Sequence, residues 1–247
     1  MGQAVSRAST ISTASSFRFK SAHVLCGVSV APASPLLQPY AALSLMTFLS
    51  AQPKPAVVLL ADELNRFNAA ADGVRAEAAQ LSHAAHAAQP LWKSLSHAHG
   101  LLPAAFQKHV SLLRWHDVAV TSNYAAVQRA CARMYAAPGA FRCFRRKVDA
   151  VAEAFVAERW KDAATSRPRR LAASVQYILH ELPVMLCGVN HLGRHYRVLA
   201  YPGKLQRELC ALLHAVHHEP DFITVRTELQ KTGALWAVPG IVALSLP

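Results

Sequence analysis

Two short, uninterrupted apolar runs constrain the fold more than any other feature of this 247-residue chain. The first run is His23–Val30, and the second is Ala56–Leu60, which Asp62 and Glu63 follow directly. Between the two runs, Leu36–Ala51 places its apolar residues at helical spacing. A strand, a helix and a second strand in close succession form a βαβ unit, which requires parallel strands. We therefore predict an α/β fold with a parallel sheet flanked by helices.

The rest of the chain alternates helical and strand patterns, as this fold requires. Further strands are predicted at His116–Thr121, Tyr196–Ala200, Phe222–Val225 and within Ala234–Leu246. Further helices are predicted at Arg66–Ala98, Tyr124–Tyr135, Ala140–Lys161, Leu171–Val189 and Lys204–His218. Residues 1–20 are rich in Ser, Thr and Ala without periodicity, which indicates a flexible leader. We predict one domain from residue 21 to residue 247.

The chain carries a formal charge of +12, which favours an anionic partner, with nucleic acid ahead of a membrane surface. Between Ala104 and Arg170 there are thirteen Lys and Arg residues against five Asp and Glu residues. The candidate phosphate contacts form two groups, namely Arg142, Arg145, Arg146 and Lys147, and then Arg167, Arg169 and Arg170. The alternative is an ordinary solvated helix face, with the charge serving solubility.

Cysteine usage and hydropathy exclude several classes of protein. The five cysteines are dispersed and form no Cys-x-x-Cys pair, which is typical of a reduced cytoplasmic protein rather than a disulfide scaffold or zinc site. No apolar run reaches the roughly 20 residues that span a bilayer. Met1–Ser6 fits the N-myristoylation pattern, which would give a weak lipid anchor.

Histidines are frequent, but their pattern does not predict a metal site. Four of them, His83, His86, His97 and His99, lie in the Ala-rich helical segment without a carboxylate partner in place. We therefore predict no metal.

One helical stretch combines a tyrosine and a carboxylate with a buried apolar run. Tyr177 and Glu181 are four residues apart, so they share a helix face. Pro183 disfavours helical geometry at the residue before it, which predicts that Glu181 lies in the last turn. A carboxylate beside buried apolar residues has a raised pKa or binds a cation. The alternative is an amphipathic helix with an exposed Glu and a core Tyr.

Ser29 is the candidate nucleophile, because it follows the first strand at the edge where parallel sheets bind ligands. Gly27 to Ala31 reads G-V-S-V-A, which matches the G-x-S-x-G nucleophile elbow except that Ala31 stands in place of the last glycine. A serine hydrolase is therefore one possible function. Neither G-x-G-x-x-G nor G-x-x-x-x-G-K occurs, so no dinucleotide or P-loop phosphate site is predicted. A non-catalytic tRNA- or RNA-binding module is another possible function.

The ordered set Gly27-x-Ser29, Tyr177-x-x-x-Glu181-x-Pro183 and Tyr201-Pro202 resembles the tRNA-dependent cyclodipeptide synthases. The resemblance runs from about His23 to Tyr201 and includes AVVLLADE and YAAVQRACARMYAAPGAF. Tyr201-Pro202, together with Pro32, resembles the Tyr-Pro branch of that family.

The resemblance implies a Rossmann-like domain close to class I aminoacyl-tRNA synthetase catalytic domains. It implies formation of a 2,5-diketopiperazine from two aminoacyl-tRNAs through aminoacyl-serine and dipeptidyl-serine intermediates on Ser29, without ATP or another cofactor. Glu181, Tyr177 and Tyr201 are then expected to hold the substrate amine and move its protons. Gly27 would let the acyl chain approach the backbone closely. The residues expected to line the pocket for the first side chain are Leu25, Val58, Leu60, Val184 and Met185.

One segment departs from the family pattern. The helix that is dense in arginine in many members corresponds to Gly73–Ala98, which contains only Arg75 and Lys93. We therefore expect either that the later basic groups hold tRNA or that tRNA binds weakly. Asp62 and Glu63 favour a cationic substrate side chain in one pocket.

Overall fold

The two apolar runs form neighbouring parallel strands at the centre of a sheet, which has six strands in the part of the chain that the structure describes. The structure is a computed structural model, and it describes residues 23–31, 34–137, 139–160, 166–202, 206–233 and 242–244. The strands are β1 (His23–Val28), β2 (Ala56–Leu60), β3 (Val110–Arg114), β4 (Val189–His191), β5 (Arg194–Pro202) and β6 (Val242–Leu244). The strand order is β3-β2-β1-β5-β4, with β6 paired to β5. All pairs are parallel except β4 with β5.

Helices cover both faces of this sheet, as the sequence predicts. The helices are α1 (Pro39–Ser50), α2 (Asn65–Ala71), α3 (Glu77–Gly100), α4 (Ala104–Gln107), α5 (Trp115–Ala119), α6 (Ser122–Ala136), α7 (Arg142–Arg159), α8 (Arg167–Cys187), α9 (Arg207–His218) and α10 (Ile223–Gln230). Helices α1 and α3 pack on one face, and α6 to α10 supply the larger core on the other. The predicted α/β class is confirmed.

Side chains of each central strand alternate between the two cores, as the strand period of two requires. In β2, Val57 and Leu59 belong to the core beneath α8, whereas Val58 and Leu60 belong to the core beneath α1 and α3. This alternation decides which residues of β2 can reach the site described below.

The predicted third strand, His116–Thr121, is wrong. Val110–Arg114 forms β3, and the chain then turns into α5 at Trp115. The carboxylate of Asp117 accepts a hydrogen bond from the backbone N–H of Arg114 at 2.8 Å, which caps the helix and ends the strand. The β-branched residues after Asp117 gave a strand signal that this local cap overrides.

Two other predicted elements also differ. The predicted helix Arg66–Ala98 is two helices, α2 and α3, because the backbone turns at Gly73, whose φ of +103° suits glycine. The predicted strand Phe222–Val225 is helical, with a 3₁₀ turn at Pro220–Phe222 followed by α10. Phe222 and Val225 are spaced by three residues, so a helix buries both on one face.

Helix α8 does not stop at Pro183, contrary to the sequence-based expectation. It continues to Cys187, so Glu181 is not in its last turn. Every residue from Leu182 to Cys187 is buried, and this burial outweighs the hydrogen bond that proline cannot make. The helix ends at Gly188, whose φ is +67° and whose N–H donates to the carbonyl of Val184 at 2.8 Å.

Candidate active site

Ser29 follows β1 at the carboxyl edge of the sheet, where it borders a cavity of about 360 Å³. The other walls of this cavity come from α7, α8 and the start of α9. The polar and aromatic residues that line it are Ser29, Phe155, Glu158, Tyr177, Glu181, Gln206 and Arg207. The structure therefore brings together Ser29, Tyr177 and Glu181, which are far apart in sequence.

Tyr177 and Glu181 face the cavity from consecutive turns of α8. The ring of Tyr177 is buried and stacks on Phe155 of α7, with centroids 5.6 Å apart and ring planes at 28°. This stacking holds the Tyr177 ring, because a rigid neighbour on one face limits its rotation. The phenol thus has a defined position beside Glu181.

Glu181 is partly exposed because it lines the cavity, but protein atoms surround it closely. Burial raises the pKa of Glu181 from 4.5 to about 7, and no nearby charge contributes to the shift. A carboxyl group that titrates near neutral pH can both accept and return a proton under physiological conditions. Strongly shifted pKa values of this kind cluster at functional sites.

A second, much smaller cavity of about 20 Å³ adjoins Ser29 and Glu181. Its walls are mostly apolar and come from the ends of β1 and β2, from α8 and from the first residue of α5. The residues that line it are Gly27, Val28, Ser29, Leu59, Ala61, Trp115, Glu181, Val184 and Met185. Because Ser29 and Glu181 line both cavities, a group attached to Ser29 has one narrow and one wide space available.

The residues expected to surround a first side chain are only partly placed there. Val184 and Met185 line the small cavity, and Leu25 lies in the core on the same face of the sheet. The expectation for Val58 and Leu60 is wrong, because both point to the opposite face. Their place is taken by Leu59 and by Ala61, as the alternation along β2 requires.

Trp115 is one of the cavity residues that sequence reasoning missed, together with Leu59, Ala61, Phe155 and Arg207. It is only 3% exposed and occupies the position directly after β3. The signal was available, since the residue after any parallel strand lies at the ligand-binding edge. It was overlooked because β3 was assigned to the wrong segment.

Asp62 is not available to a cationic substrate side chain. It is buried, its Oδ2 lies 2.8 Å from Nε of Arg114, and its Oδ1 accepts the Trp115 backbone N–H at 3.0 Å. Its oxygens thus serve the turn from β3 into α5. Glu63 lies 3.7 Å from the ring of His116 and lines a separate cavity of about 280 Å³.

The first basic group lies at the start of α7 and faces solvent. Arg142, Arg145 and Arg146 are exposed, and Lys147 lies 3.6 Å from Glu219. Arg145 lies 3.9 Å from Asp149. Within the described ranges, Arg142 and Arg146 form no ion pair. These two guanidinium groups are therefore available to an anionic partner.

The second basic group begins α8, at the other end of the α7–α8 pair. Arg167 pairs with Glu153, Arg169 donates to the carbonyl of Ala71 at 3.0 Å, and Arg170 lies over the ring of Trp160 at 5.3 Å. The two groups are roughly 20 Å apart along α7, because an α-helix rises 1.5 Å per residue. The seven residues thus form two patches rather than one.

Several sequence-based predictions lie outside what the structure describes. Tyr201 lies in β5 and pairs with Ala243 of β6, but its side chain lies outside the described atoms. Residues 1–22 and Pro32 lie outside the described residues, so the leader, the myristoylation pattern and the Pro32 feature remain predictions.

Two features that bear on partners and metals can be checked in the described ranges. None of the helices found there is both long and apolar enough to cross a bilayer. No group of three or more His, Cys, Asp or Glu side chains in those ranges has an arrangement that could hold a metal ion. Of the four helical histidines, His99 places its Nε2 2.8 Å from the carbonyl oxygen of Val110 and so joins α3 to β3.

Comparison with known proteins identifies a family. The model of the cyclodipeptide synthase family matches residues 8–219. No curated protein sequence matches the chain. The fold is similar to a cyclodipeptide synthase from Fluoribacter dumoffii, with 15% identity, a TM-score of 0.67, and coverage of 95% of this chain and 93% of that one.

Two further solved structures extend the comparison. A Mycobacterium tuberculosis protein, described as demonstrating that cyclodipeptide synthetases are related to type I tRNA synthetases, has 12% identity and a TM-score of 0.67, covering 93% of this chain and 87% of that one. A cyclodipeptide synthase from Candidatus Glomeribacter gigasporarum bound to Phe-tRNAPhe has 15% identity and a TM-score of 0.51, covering 91% and 87%.

Proposed function

The chain belongs to the cyclodipeptide synthase family, and we propose that it joins the aminoacyl groups of two aminoacyl-tRNAs into a 2,5-diketopiperazine. The observation that supports this most is the meeting of Ser29 and Glu181 at one cavity on the carboxyl edge of the sheet. A solved relative of similar fold is bound to Phe-tRNAPhe. We also propose, from the resemblance at Tyr201-Pro202, that the chain belongs to the Tyr-Pro branch of the family. Residues 21–247 are proposed to form the catalytic domain, after a flexible leader at residues 1–20. The cytoplasm, where aminoacyl-tRNAs are found, is its proposed location.

The first step transfers an aminoacyl group to Ser29. The Ser29 Oγ forms a bond to the ester carbonyl carbon, the bond from that carbon to the tRNA ribose oxygen breaks, and the hydroxyl proton passes to the departing ribose oxygen. An aminoacyl ester is already activated, so no ATP is consumed and the serine needs less basic assistance than it would for an amide.

The second step forms the first peptide bond. The amine of the aminoacyl group on Ser29 attacks the ester carbon of a second aminoacyl-tRNA, whose tRNA leaves, and a dipeptide remains on Ser29. Glu181 accepts the proton that the amine loses and passes it to the departing ribose oxygen, for which a pKa of about 7 is well matched. The hydroxyls of Tyr177 and Tyr201 are assigned to holding the amine in place.

The third step closes the ring and restores the enzyme. The free amine of the dipeptide attacks the ester carbon on Ser29, the carbon–Oγ bond breaks, and Ser29 regains its proton. Two ester bonds have then been exchanged for two amide bonds. The second amine uses the same carboxylate, because Glu181 can return its first proton before it accepts the next.

The test is incubation of the purified chain with two aminoacyl-tRNAs in the absence of ATP, followed by mass spectrometry of the small products. A diketopiperazine that requires Ser29 supports the proposal. Binding of tRNA without product would indicate a tRNA-binding module, and release of free amino acids alone would indicate a serine hydrolase.

For tRNA, we assign phosphate contact first to Arg142 and Arg146, which are exposed at the start of α7 and form no ion pair within the described ranges. Each lost phosphate contact lowers the slope of log K against log salt by about 0.7–0.9. Substitution of both arginines by glutamine should therefore reduce the slope by about 1.4–1.8. Arg167→Gln is the matched control, because Arg167 already pairs with Glu153. An unchanged slope in the double variant would identify Arg142 and Arg146 as part of a solvated face.

A further inference from the structure

The amino edge of the sheet, opposite to the edge that carries Ser29, has a surface that the proposed function does not use. The exposed residues of this amino-edge surface are the cations Lys54, Lys108, Arg194 and Arg197 and the apolar Leu101, Phe106 and Leu192. We propose that the amino-edge surface binds a bilayer that contains anionic lipids. The active site at the opposite edge would then face away from the bilayer and stay open to tRNA.

The chain segments before β3 and β2 bring two of the cations together. The Nε2 of His109, the residue before β3, lies 2.7 Å from the carbonyl oxygen of Gln52, which precedes β2. Lys108 and Lys54 each lie within two residues of this contact. Both lysines are therefore held at one place on the amino edge.

The start of β1 links these lysines to the arginines of β5. Burial lowers the pKa of His23, the first residue of β1, and the charges of three nearby cations lower it further. These cations are Arg194, Lys54 and Arg197. The cations of β5 and of the segment before β2 thus surround the amino end of β1.

No acidic residue belongs to the segments that build this surface. Asp and Glu are absent from residues 1–61, 78–116 and 182–207. Among the residues that the structure describes, none of the four cations of the amino-edge surface forms an ion pair. Their charges are therefore available to a negatively charged surface.

Exposed apolar side chains favour a bilayer over nucleic acid as the partner. Leu192 is 77% exposed at the tip of the β4–β5 hairpin, and its φ of +48° is one that Gly or Asn normally adopts. Leu101 and Phe106 are exposed beside the start of β3, where His99 contacts the carbonyl oxygen of Val110. Aliphatic side chains find no partner on a phosphate backbone, whereas the bilayer interface accepts apolar groups and cations together.

The segment before β1 joins the structure at the same edge, because His23 is the amino-terminal residue of that strand. Residues 1–22 contain Arg7, Arg18 and Lys20 and no Asp or Glu. Met1–Ser6 fits the N-myristoylation pattern. A single myristoyl chain gives only marginal membrane binding, and a basic patch is the kind of second signal that makes binding stable.

Vesicle co-sedimentation of the full chain, purified without an acyl group, provides the first test. The vesicles consist of phosphatidylcholine alone or with about one third phosphatidylserine. We expect at least about tenfold tighter binding to the anionic vesicles, because each Lys or Arg near such a surface contributes about fivefold. Equal binding to both kinds of vesicle, or binding to neither, would overturn the proposal.

Charge variants locate the contact. Lys54→Gln/Arg194→Gln should bind the anionic vesicles at least about tenfold more weakly than the wild type. The matched control is Arg75→Gln/Arg129→Gln, which removes the same charge from exposed arginines before α3 and in α6. The control should bind within about twofold of the wild type. Equal weakening in the two double variants would show that net charge alone matters and would refute the assignment.

The hairpin tip can be tested without a change of charge. Leu192→Asn removes the exposed apolar side chain and suits the positive φ better than leucine does, so it should not lower the free energy of unfolding. We expect it to bind anionic vesicles at least about threefold more weakly. Unchanged vesicle binding would refute contact by the tip.

Filter binding of tRNA to the same variants separates a bilayer surface from a nucleic-acid surface. Lys54→Gln/Arg194→Gln should keep its tRNA affinity within about twofold of the wild type. A loss of tRNA affinity in this variant, with no binding of the wild type to anionic vesicles, would identify the surface as a nucleic-acid interface and overturn the proposal.

Discussion

Replacing Glu181 by glutamine should make the protein more stable at alkaline pH and nearly inactive. Burial raises the pKa of Glu181 from 4.5 to about 7 in the folded protein. At about 1.4 kcal/mol per pKa unit, keeping this carboxylate charged above pH 7 costs roughly 3 kcal/mol of folding free energy. Glutamine has nearly the same shape and carries no charge, so it removes this cost.

The sign of the pH dependence follows from proton binding. Between pH 4.5 and 7 the folded protein holds a proton on Glu181 that the unfolded chain has released. The free energy of unfolding therefore falls as the pH rises through this window. The advantage of Glu181→Gln over the wild type should be under about 1 kcal/mol at pH 5 and should approach about 3 kcal/mol at pH 8.

Urea unfolding of the two proteins between pH 5 and pH 8 measures this difference. Glu158→Gln is the control, because Glu158 lines the same cavity but is exposed, and its effect should stay within about 0.5 kcal/mol. Diketopiperazine formation by Glu181→Gln should fall by about 10²–10⁴-fold, the usual contribution of a general base. A stability difference that does not change with pH would refute the claim that Glu181 titrates near neutrality.

Three further substitutions test the backbone turn after α8, the turn from β3 into α5, and the Tyr177 hydroxyl. Gly188→Ala should lower the free energy of unfolding by at least about 2 kcal/mol, because its φ is +67° and a Cβ there would lie 2.2 Å from a backbone oxygen of β5. Gly100→Ala is the control in the same urea titration and should leave the stability unchanged, because a Cβ at Gly100 has no atom within 4 Å. Asp62→Ala should lower the free energy of unfolding by about 2 kcal/mol, because Arg114 and the buried backbone N–H of Trp115 both lose their acceptor. A variant as stable as the wild type would contradict this. Tyr177→Phe keeps the ring that stacks on Phe155, so the thermal unfolding temperature should hardly change. The initial rate of product formation should fall at least about tenfold, and an unchanged rate would show that the Tyr177 hydroxyl takes no part in the mechanism.

The elements that sequence predicted best are those whose signal is purely apolar. Ala56–Leu60 is wholly buried and needs no partner to be recognised as a strand. The third strand failed because His116–Thr121 resembles a strand in composition, and only the hydrogen bond from Arg114 to Asp117 decides that a helix begins there. Periodicity does not report such a local competition. The continuation of α8 through Pro183 is likewise a result of burial, which the isolated segment does not reveal.

Some site residues could likewise be predicted from local sequence patterns, whereas others depend on the assembled structure. Ser29, Tyr177 and Glu181 were singled out from strand ends, helix spacing and a family resemblance, and the structure places all three around one cavity. Trp115 was missed because its importance depends on where β3 ends. The pKa of Glu181 near 7 depends on how closely the surrounding protein packs, which is a property of the assembled core.

The central claim is that Ser29 carries the aminoacyl group, and intact-protein mass spectrometry after a pulse of aminoacyl-tRNA tests it most directly. We expect the wild type to gain the mass of one aminoacyl group and then to release a cyclic product when a second aminoacyl-tRNA is added. Ser29→Ala should show neither the adduct nor the product, while Ser34→Ala, a nearby serine that lies outside both cavities, should show both. An adduct on folded Ser29→Ala, or cyclic product from it at the wild-type yield, would contradict the account.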